Sequence, residues 1–266
     1  MKIYRDPYEK LNIQSVVALG CFDGVHTGHA NVISRAVALA RARGVRALVW
    51  CFSEPPKNAY LPTPVALITD LDEKARQIRR LGADILVCPD FTKEIARLSC
   101  EEFVSGLLCE CAGAVHVVCG HNYTFGQGGR GKVDTLRALC EPLGIGVSVV
   151  EDVTLDGIKV SSSLIREAVS AGSCTYAARL LGRDHSLLCT KCEDGRYTFS
   201  HKLLCVPEGS YRVRVSAGAK KSETAAIVTQ EGDGYRIRLE DECEAQECRI
   251  YFLTNRQKPS RKTNDM

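Results

Sequence analysis

The sequence predicts an α/β fold with a parallel sheet, followed by a small antiparallel β module. Three observations carry that expectation. Through the first two-thirds of the chain, short apolar β-branched runs alternate with helix-periodic runs, the signature of a sheet covered by helices on both faces. Gly44, Gly82, Gly113 and Gly144 stand just past the helical runs, where a left-handed C-cap residue is expected. After Gly182-Arg183 the apolar period shortens to two, which marks strands of an antiparallel sheet.

Taken in order, Ser15–Leu19 reads as a strand, Ala30–Arg43 as a helix, Val45–Phe52 as a strand and Leu71–Leu81 as a helix. Ile85–Cys88 continues as a strand, Glu101–Glu110 as a helix, Val115–Cys119 as a strand, Val133–Pro142 mostly as a helix and Val147–Val150 as a strand. Beyond Arg183, the runs Tyr211–Val215, Ala226–Gln230, Tyr235–Leu239 and Cys248–Phe252 alternate apolar and polar residues, with turn residues at Pro207–Gly209 and Glu231–Gly234 between them. The expected domains are residues 1–183, residues 184–255 and a basic tail, 256–266, read as disordered. In a parallel sheet, ligands bind outside the carboxyl ends of the strands. The segments after Leu19, Phe52 and Cys119 therefore converge on one crevice.

Gly20-Cys21-Phe22-Asp23-Gly24-Val25-His26-Thr27-Gly28-His29 leaves the first strand and enters the first helix. Free N–H groups and the positive helix end favour an anion there. Gly24 and Gly28 admit close backbone approach, and His26 and His29 can donate to phosphate oxygens. The bland alternatives are a structural turn or zinc, and no Glu follows His26 as in helical zinc proteases. The loop Gly120-His121-Asn122-Tyr123-Thr124-Phe125-Gly126, extended by Gly128, Gly129 and Gly131, offers an amide and two aromatic faces for a ribose, a phosphate, a metal or a planar ring. A flexible loop whose aromatics dock on the core is the plainer reading. Val160-Ser161-Ser162-Ser163-Leu164-Ile165-Arg166-Glu167 places hydroxyls at a helix start with an arginine one turn in, either a simple N-cap or a second phosphate grip.

These segments together resemble the FAD synthetase, or FMN adenylyltransferase, module of the bacterial bifunctional riboflavin kinase/FAD synthetase family. The likeness runs from about Val16 to Arg183 and includes the closing Ala177-Ala178-Arg179-Leu180-Leu181-Gly182-Arg183. It implies a Rossmann-like nucleotidyltransferase domain that joins AMP from ATP to FMN, releasing pyrophosphate. The resemblance implies catalytic roles for His26, His29, Asn122 and Arg166. ATP would meet Gly20, Phe22, Asp23, Gly24, Gly28, Ser161 and Ser162, and the flavin would meet Pro56, Tyr123 and Phe125. Mg²⁺ would be held mainly by substrate phosphates and water, with no metal ligands assigned to the protein. The alternatives are another His-x-Gly-His nucleotidyltransferase with a different phosphate acceptor, or a non-catalytic nucleotide sensor.

The chain departs from the family pattern in places. Glu54-Pro55-Pro56 stands where the family shows Pro-His-Pro, so only Pro56 is retained; Ser163 replaces a threonine, and His121 replaces an acid. These changes bear on flavin affinity rather than on reaction class. The Gly-Phe-Pro-Thr-Ala-Asn run of the family's kinase module has no counterpart after Arg183, which implies a degenerate or unrelated β module without kinase activity.

Composition narrows the rest. A net charge of +3 is too small to argue for a nucleic-acid face. No apolar stretch approaches a membrane span, and Met1–Asp6 lacks a signal peptide's apolar core. A cytoplasmic protein with partners ATP, FMN and FAD is expected. Fourteen cysteines, scattered in apolar runs, read as free thiols of a reducing compartment. Cys189, Cys192, Cys243 and Cys248 leave zinc open, with loose spacing in the second pair.

Overall fold

A computed structural model describes residues 1–232 and 234–253. The expected basic tail at 256–266 lies outside the described residues. The chain divides into two compact units, the first Met1–Ser162 and the second beginning at Ser163.

The first unit is built on six parallel strands. In chain order its elements are β1 (Lys2–Tyr4), β2 (Ser15–Leu19), α1 (Thr27–Arg43), β3 (Arg46–Trp50), a 3₁₀ turn at Pro56–Ala59, α2 (Leu71–Arg80), β4 (Ile85–Val87), α3 (Lys93–Arg97), α4 (Cys100–Glu102) running on as a π-helix over Phe103–Cys111, β5 (Ala114–Gly120), α5 (Val133–Cys140) and β6 (Gly146–Val150). The strands are ordered β1-β4-β3-β2-β5-β6. Going from β2 the chain moves outward through β3 and β4, then returns to the other side of β2 as β5. The sheet order thus reverses between β2 and β5, and such a switch point leaves a crevice at the carboxyl ends.

Alternation along the strands sorts the core into two layers. Val17 and Leu19 of β2 join the cluster under the π-helix and α5, with Phe103, Leu107, Leu108 and Leu136. Val16 and Ala18 join the opposite cluster under α1 and α2, with Ile33, Ala36, Ala40 and Ile78. Helix α1 buries Val32, Ile33, Ala36 and Ala40, one helical stripe, and stops at Gly44 with φ of 65°. Gly113 also needs its left-handed φ of 59°, since a Cβ there would stand 1.8 Å from the Ile13 carbonyl oxygen. A two-stranded hairpin, β7 (Thr154–Leu155) and β8 (Ile158–Lys159), closes the unit on an Asp156-Gly157 turn in which both residues have positive φ.

The second unit begins just inside α6 (Ser162–Ser170) and continues with α7 (Cys174–Leu181) and six strands: β9 (His185–Lys191), β10 (Tyr197–Thr198), β11 (Gly209–Ala217), β12 (Lys220–Glu231), β13 (Gly234–Leu239) and β14 (Glu247–Phe252). The six strands close into a barrel in the order β10-β13-β12-β11-β14-β9, antiparallel at every joint. Cys189 and Cys248, half of the open zinc set, are register partners across β9 and β14 and are buried. Among the described residues no three His, Cys, Asp or Glu side chains are grouped to hold a metal. None of the fourteen cysteines is in a disulfide.

Candidate active site

The turn from β2 into α1 is tightly constrained. Phe22, Gly24 and Val25 all have positive φ, at 52°, 83° and 39°. For a β-branched residue such as Val25 this is a strained conformation, costing on the order of 1–3 kcal/mol, and strain of this kind gathers at functional sites. Partners from a remote segment hold the turn. The Asp23 carboxylate accepts from the Ile68 amide at 3.1 and 3.3 Å, and the Gly24 amide donates to Thr69 Oγ1 at 3.2 Å. Asp23 is buried, so its carboxylate fixes the loop from inside.

The turn delivers two imidazoles together. His26 is the N-cap of α1, its Nδ1 accepting from the His29 amide at 3.2 Å. An accepting Nδ1 carries no proton, which assigns the ring proton to Nε2 and makes that atom the donor. The two rings stack at 3.6 Å between centroids, and Phe22 meets His29 edge-on at 5.2 Å. Gly28 makes room for the stack: a Cβ there would lie 3.1 Å from His26 Cε1 and 3.2 Å from Nδ1. Gly20 does the same for Phe22, whose ring atoms would stand 2.8 Å from an added Cβ. The first turn of α1 holds no acidic residue, so nothing there opposes an anion at the positive end of the helix.

The loop after β5 leaves the sheet beside this turn, because Leu19 and Cys119 are register partners on adjacent strands. The loop is ordered by backbone bonds between Phe125 and Gly131 in both directions, at 3.0 and 2.9 Å. Gly126 and Gly131 let it pack on Cys100, whose Sγ would lie 2.6 and 2.7 Å from added Cβ atoms. Phe125 is thereby driven into the core, buried against Phe103, with Tyr123 stacked on it at 6.0 Å. Burial pushes the Tyr123 phenol well above its ordinary range, so it stays neutral. Asn122 is exposed at the top of the loop, and His121 pairs with Asp152 at 3.4 Å.

The serine run reaches the same turn: Ser162 Oγ donates to the Asp23 carbonyl at 3.0 Å. Ser161 is half-buried just before it, and Arg166 lies about one turn along α6. Pro56 opens the 3₁₀ turn after β3 and is partly exposed. The structure therefore gathers Gly20, Phe22, Asp23, Gly24, His26, Gly28, His29 and Ser162 around one turn, with Asn122 on the loop from the adjacent strand. Ile68 and Thr69 were not legible as part of this architecture, because they brace the turn from 45 residues away in the sequence.

Comparison with known proteins identifies a family. Residues 8–164 match the FAD synthetase family. The chain is 35% identical over 176 residues to a bifunctional riboflavin kinase/FMN adenylyltransferase of Listeria monocytogenes, covering 65% of this chain and 55% of that one. The Bacillus subtilis protein of the same description is 35% identical over 174 residues, with 65% and 54% covered. A Listeria monocytogenes FAD synthetase is 32% identical over 170 residues, with 63% and 68% covered. The chain thus spans about half the length of the bifunctional relatives it matches. In fold it is similar to a crystal structure described as a macrolide-efflux protein from Streptococcus pneumoniae, with a TM-score of 0.83, 24% identity and coverage of 95% of this chain and 89% of that one. At that identity the likeness concerns architecture alone.

Proposed function

The chain belongs to the FAD synthetase family, and on that premise we propose that it transfers AMP from ATP to FMN, giving FAD and pyrophosphate, without riboflavin kinase activity. The observation that carries this reading is the stacked His26–His29 pair at the N-terminus of α1, beside the point where the sheet order reverses.

An FMN phosphate oxygen attacks the α-phosphorus of ATP, a new P–O bond forms, and the bond to the bridging oxygen breaks as pyrophosphate leaves. No covalent enzyme intermediate is required. The work of the protein is alignment and neutralisation of developing charge. His26 Nε2–H and His29 donate to ATP phosphate oxygens at the positive end of α1. Ser161, Ser162 and Arg166 are assigned the β- and γ-phosphates, where a guanidinium fork matches phosphate geometry. Asn122 is assigned the reacting phosphates. Gly20 and Gly28 admit the nucleotide and ring stack, while Phe22, Asp23 and Gly24 shape the turn that meets ATP.

Pro56 and Tyr123 are assigned the flavin side, with Phe125 supporting Tyr123 from the core. Mg²⁺ is proposed to arrive with the substrates, because this ion keeps much of its water and binds through phosphates. When bound it supplies charge neutralisation on the triphosphate.

ATP, FMN and FAD are the proposed partners and the cytoplasm the proposed compartment; among the described residues no helix is long and apolar enough to cross a membrane. Purified chain with MgATP and FMN is expected to yield FAD and pyrophosphate in equal amounts, read by chromatography and a pyrophosphate-coupled assay. FMN left unchanged would refute the assignment.

A further inference from the structure

The carboxyl edge of the sheet holds a second constellation that adenylyl transfer does not use. Cys51 follows β3 and Cys88 follows β4. They are the next residues after Trp50 and Val87, the last register partners of those strands, and the Cys51 amide donates to the Val87 carbonyl at 3.0 Å. Neighbouring strands lie about 4.8 Å apart, inside the roughly 4.4–6.8 Å window of Cα separations that a disulfide spans. Both side chains are fully buried, and the Cys51 thiol donates to the Cys88 sulfur at 3.6 Å.

A buried cation lies against the pair. Lys74 of α2 is only 1% exposed, and its ammonium donates to the Phe52 carbonyl at 2.8 Å and the Ser53 carbonyl at 3.2 Å. Carbonyl dipoles alone leave a buried ammonium poorly compensated. Burial pushes Lys74 down, yet the surrounding Cys51, Cys88, Cys21 and Asp23 more than offset this and hold it above its ordinary value. The two thiols are correspondingly unequal. The hydrogen bond from Cys51, helped by Lys74 and Arg5, lowers Cys88 to about 7. Cys51, the donor in a fully buried site, is held well above the usual thiol range. Elsewhere burial, the largest cause at each site, pushes Cys119 and Cys140 up to about 11 and Cys205 and Cys248 up to about 12. One thiolate beside one thiol is the arrangement that oxidises to a disulfide.

We propose that Cys51 and Cys88 form an oxidisable dithiol that a small hydroperoxide closes, reversibly, to a disulfide. The Cys88 thiolate attacks the peroxide oxygen, the O–O bond breaks, and Cys88 becomes a sulfenic acid while the oxidant leaves as hydroxide or alkoxide. The Cys51 sulfur then attacks the sulfenic sulfur, the S–O bond breaks, and its oxygen leaves as water. In sum, two thiols and hydrogen peroxide give one disulfide and two waters, and a dithiol reductant restores the pair. Full burial favours a small neutral oxidant over a bulky disulfide. Closing the bond removes the negative partner of Lys74, whose two carbonyl contacts hold the start of the segment leading to Pro56. Oxidation therefore acts on the acceptor side of the proposed reaction; this consequence, unlike the disulfide itself, rests on that reading.

The test treats the full chain with hydrogen peroxide, alkylates the remaining thiols and maps cysteine-containing peptides by mass spectrometry. The Cys51–Cys88 disulfide is expected to accumulate about tenfold faster than any other pair and to disappear on reduction. Lys74→Met is expected to slow it about tenfold, with Lys74→Arg restoring much of the rate. Should Lys74→Met fail to fold, Cys51→Ser provides a second reading: it is expected to arrest Cys88 as a sulfenic acid that a cyclic 1,3-dione traps. FAD formation is expected to fall on oxidation and recover on reduction, while Cys88→Ser keeps its activity in peroxide. Oxidation confined to the partly exposed Cys21, Cys100 and Cys109, or an unlabelled Cys88 in Cys51→Ser, would overturn the proposal whether or not FAD is made.

Discussion

His29 tests the proposed chemistry at the level of one side chain. Its amide caps α1 through His26, but the amide survives replacement of the ring, so His29→Ala leaves the cap intact. Turnover with FMN and MgATP is expected to fall by about 10²–10³, as when one preorganised donor to a developing oxyanion is lost, while the thermal midpoint shifts little. Gly28→Ala separates catalysis from stability more sharply. Alanine is the better helix former by nearly 1 kcal/mol, yet its Cβ would press on His26 Cε1 and Nδ1 from 3.1 and 3.2 Å. A displacement of a few tenths of an ångström in the ring is expected to cost about tenfold in kcat, with unfolding by urea unchanged or slightly resisted. Equal activity in both variants would remove the imidazole pair from the mechanism. The pair was legible in the sequence because strand, glycine turn and helix are contiguous and the chemistry is local. The inward use of Asp23 was not: its partner Ile68 is 45 residues away, and no periodicity links a buried carboxylate to a remote amide. Phe125 was legible as an aromatic of the glycine-rich loop. Its descent into the core depends on how Gly126 and Gly131 pack against Cys100.

At the scale of elements, Asp84 fastens the end of α1 to the strands beneath it. Its carboxylate accepts both arms of the Arg41 guanidinium, at 2.8 and 3.1 Å, and the Ala47 amide of β3 at 2.8 Å. The Arg41 hydrogen bond, more than any other contact, holds the Asp84 carboxyl below its ordinary value. The folded chain keeps this group ionised to lower pH than the unfolded chain does. Its contribution is therefore full above the unfolded Asp value of about 3.9 and is lost as pH falls through the folded value. Asp84→Asn is expected to cost about 1 kcal/mol at neutral pH, discounted because the Arg41 side chain is 52% exposed. Urea titrations near pH 7 and again near pH 3 should show the gap between variant and parent shrinking; a constant gap would mean that the charge contributes nothing. The strands of the parallel sheet were legible because they are apolar, β-branched and bounded by glycine. The helix read at 101–110 is instead one α-turn leading into π-helical Phe103–Cys111, in which the Ala112 amide reaches the Leu107 carbonyl at 3.0 Å. Its apolar residues at 103, 107, 108 and 111 suit either winding, so periodicity alone could not choose. Strand β1 was hidden by its half-polar Lys-Ile-Tyr composition. The Asp156-Gly157 hairpin, by contrast, carried an available turn signal.

For the whole molecule, the decisive question is what a barrel does in a chain of the FAD synthetase family. Its antiparallel character was legible from the period-two runs, but its closure was not, since β9 and the two-residue β10 supply the joints and neither alternates clearly. Closure gives the inward residues Leu187, Cys189, Tyr197, Val213, Val215, Ala226, Val228, Ile237, Cys248, Ile250 and Phe252 one shared, buried interior. The polar tip of Tyr197 is satisfied within the chain, donating to the Cys243 carbonyl at 2.8 Å and the Ala245 carbonyl at 3.2 Å. The interior is packed mainly with aliphatic, aromatic and thiol groups, and a six-stranded barrel is narrow enough for side chains to fill it. A kinase acting on riboflavin must hold a triphosphate, its metal ion and an activated hydroxyl, all of which demand polar groups converging on one point. The family's Gly-Phe-Pro-Thr-Ala-Asn run, which the resemblance ties to that task, has no counterpart after Arg183. Riboflavin with MgATP is therefore expected to yield no FMN over times in which FMN with MgATP is converted to FAD. The comparison is internally controlled, because one preparation supplies both arms and the second arm establishes that the chain is folded and active. Formation of FMN in the first arm would mean that the barrel builds a phosphate site on its outer loops, and the proposed lack of kinase activity would fail.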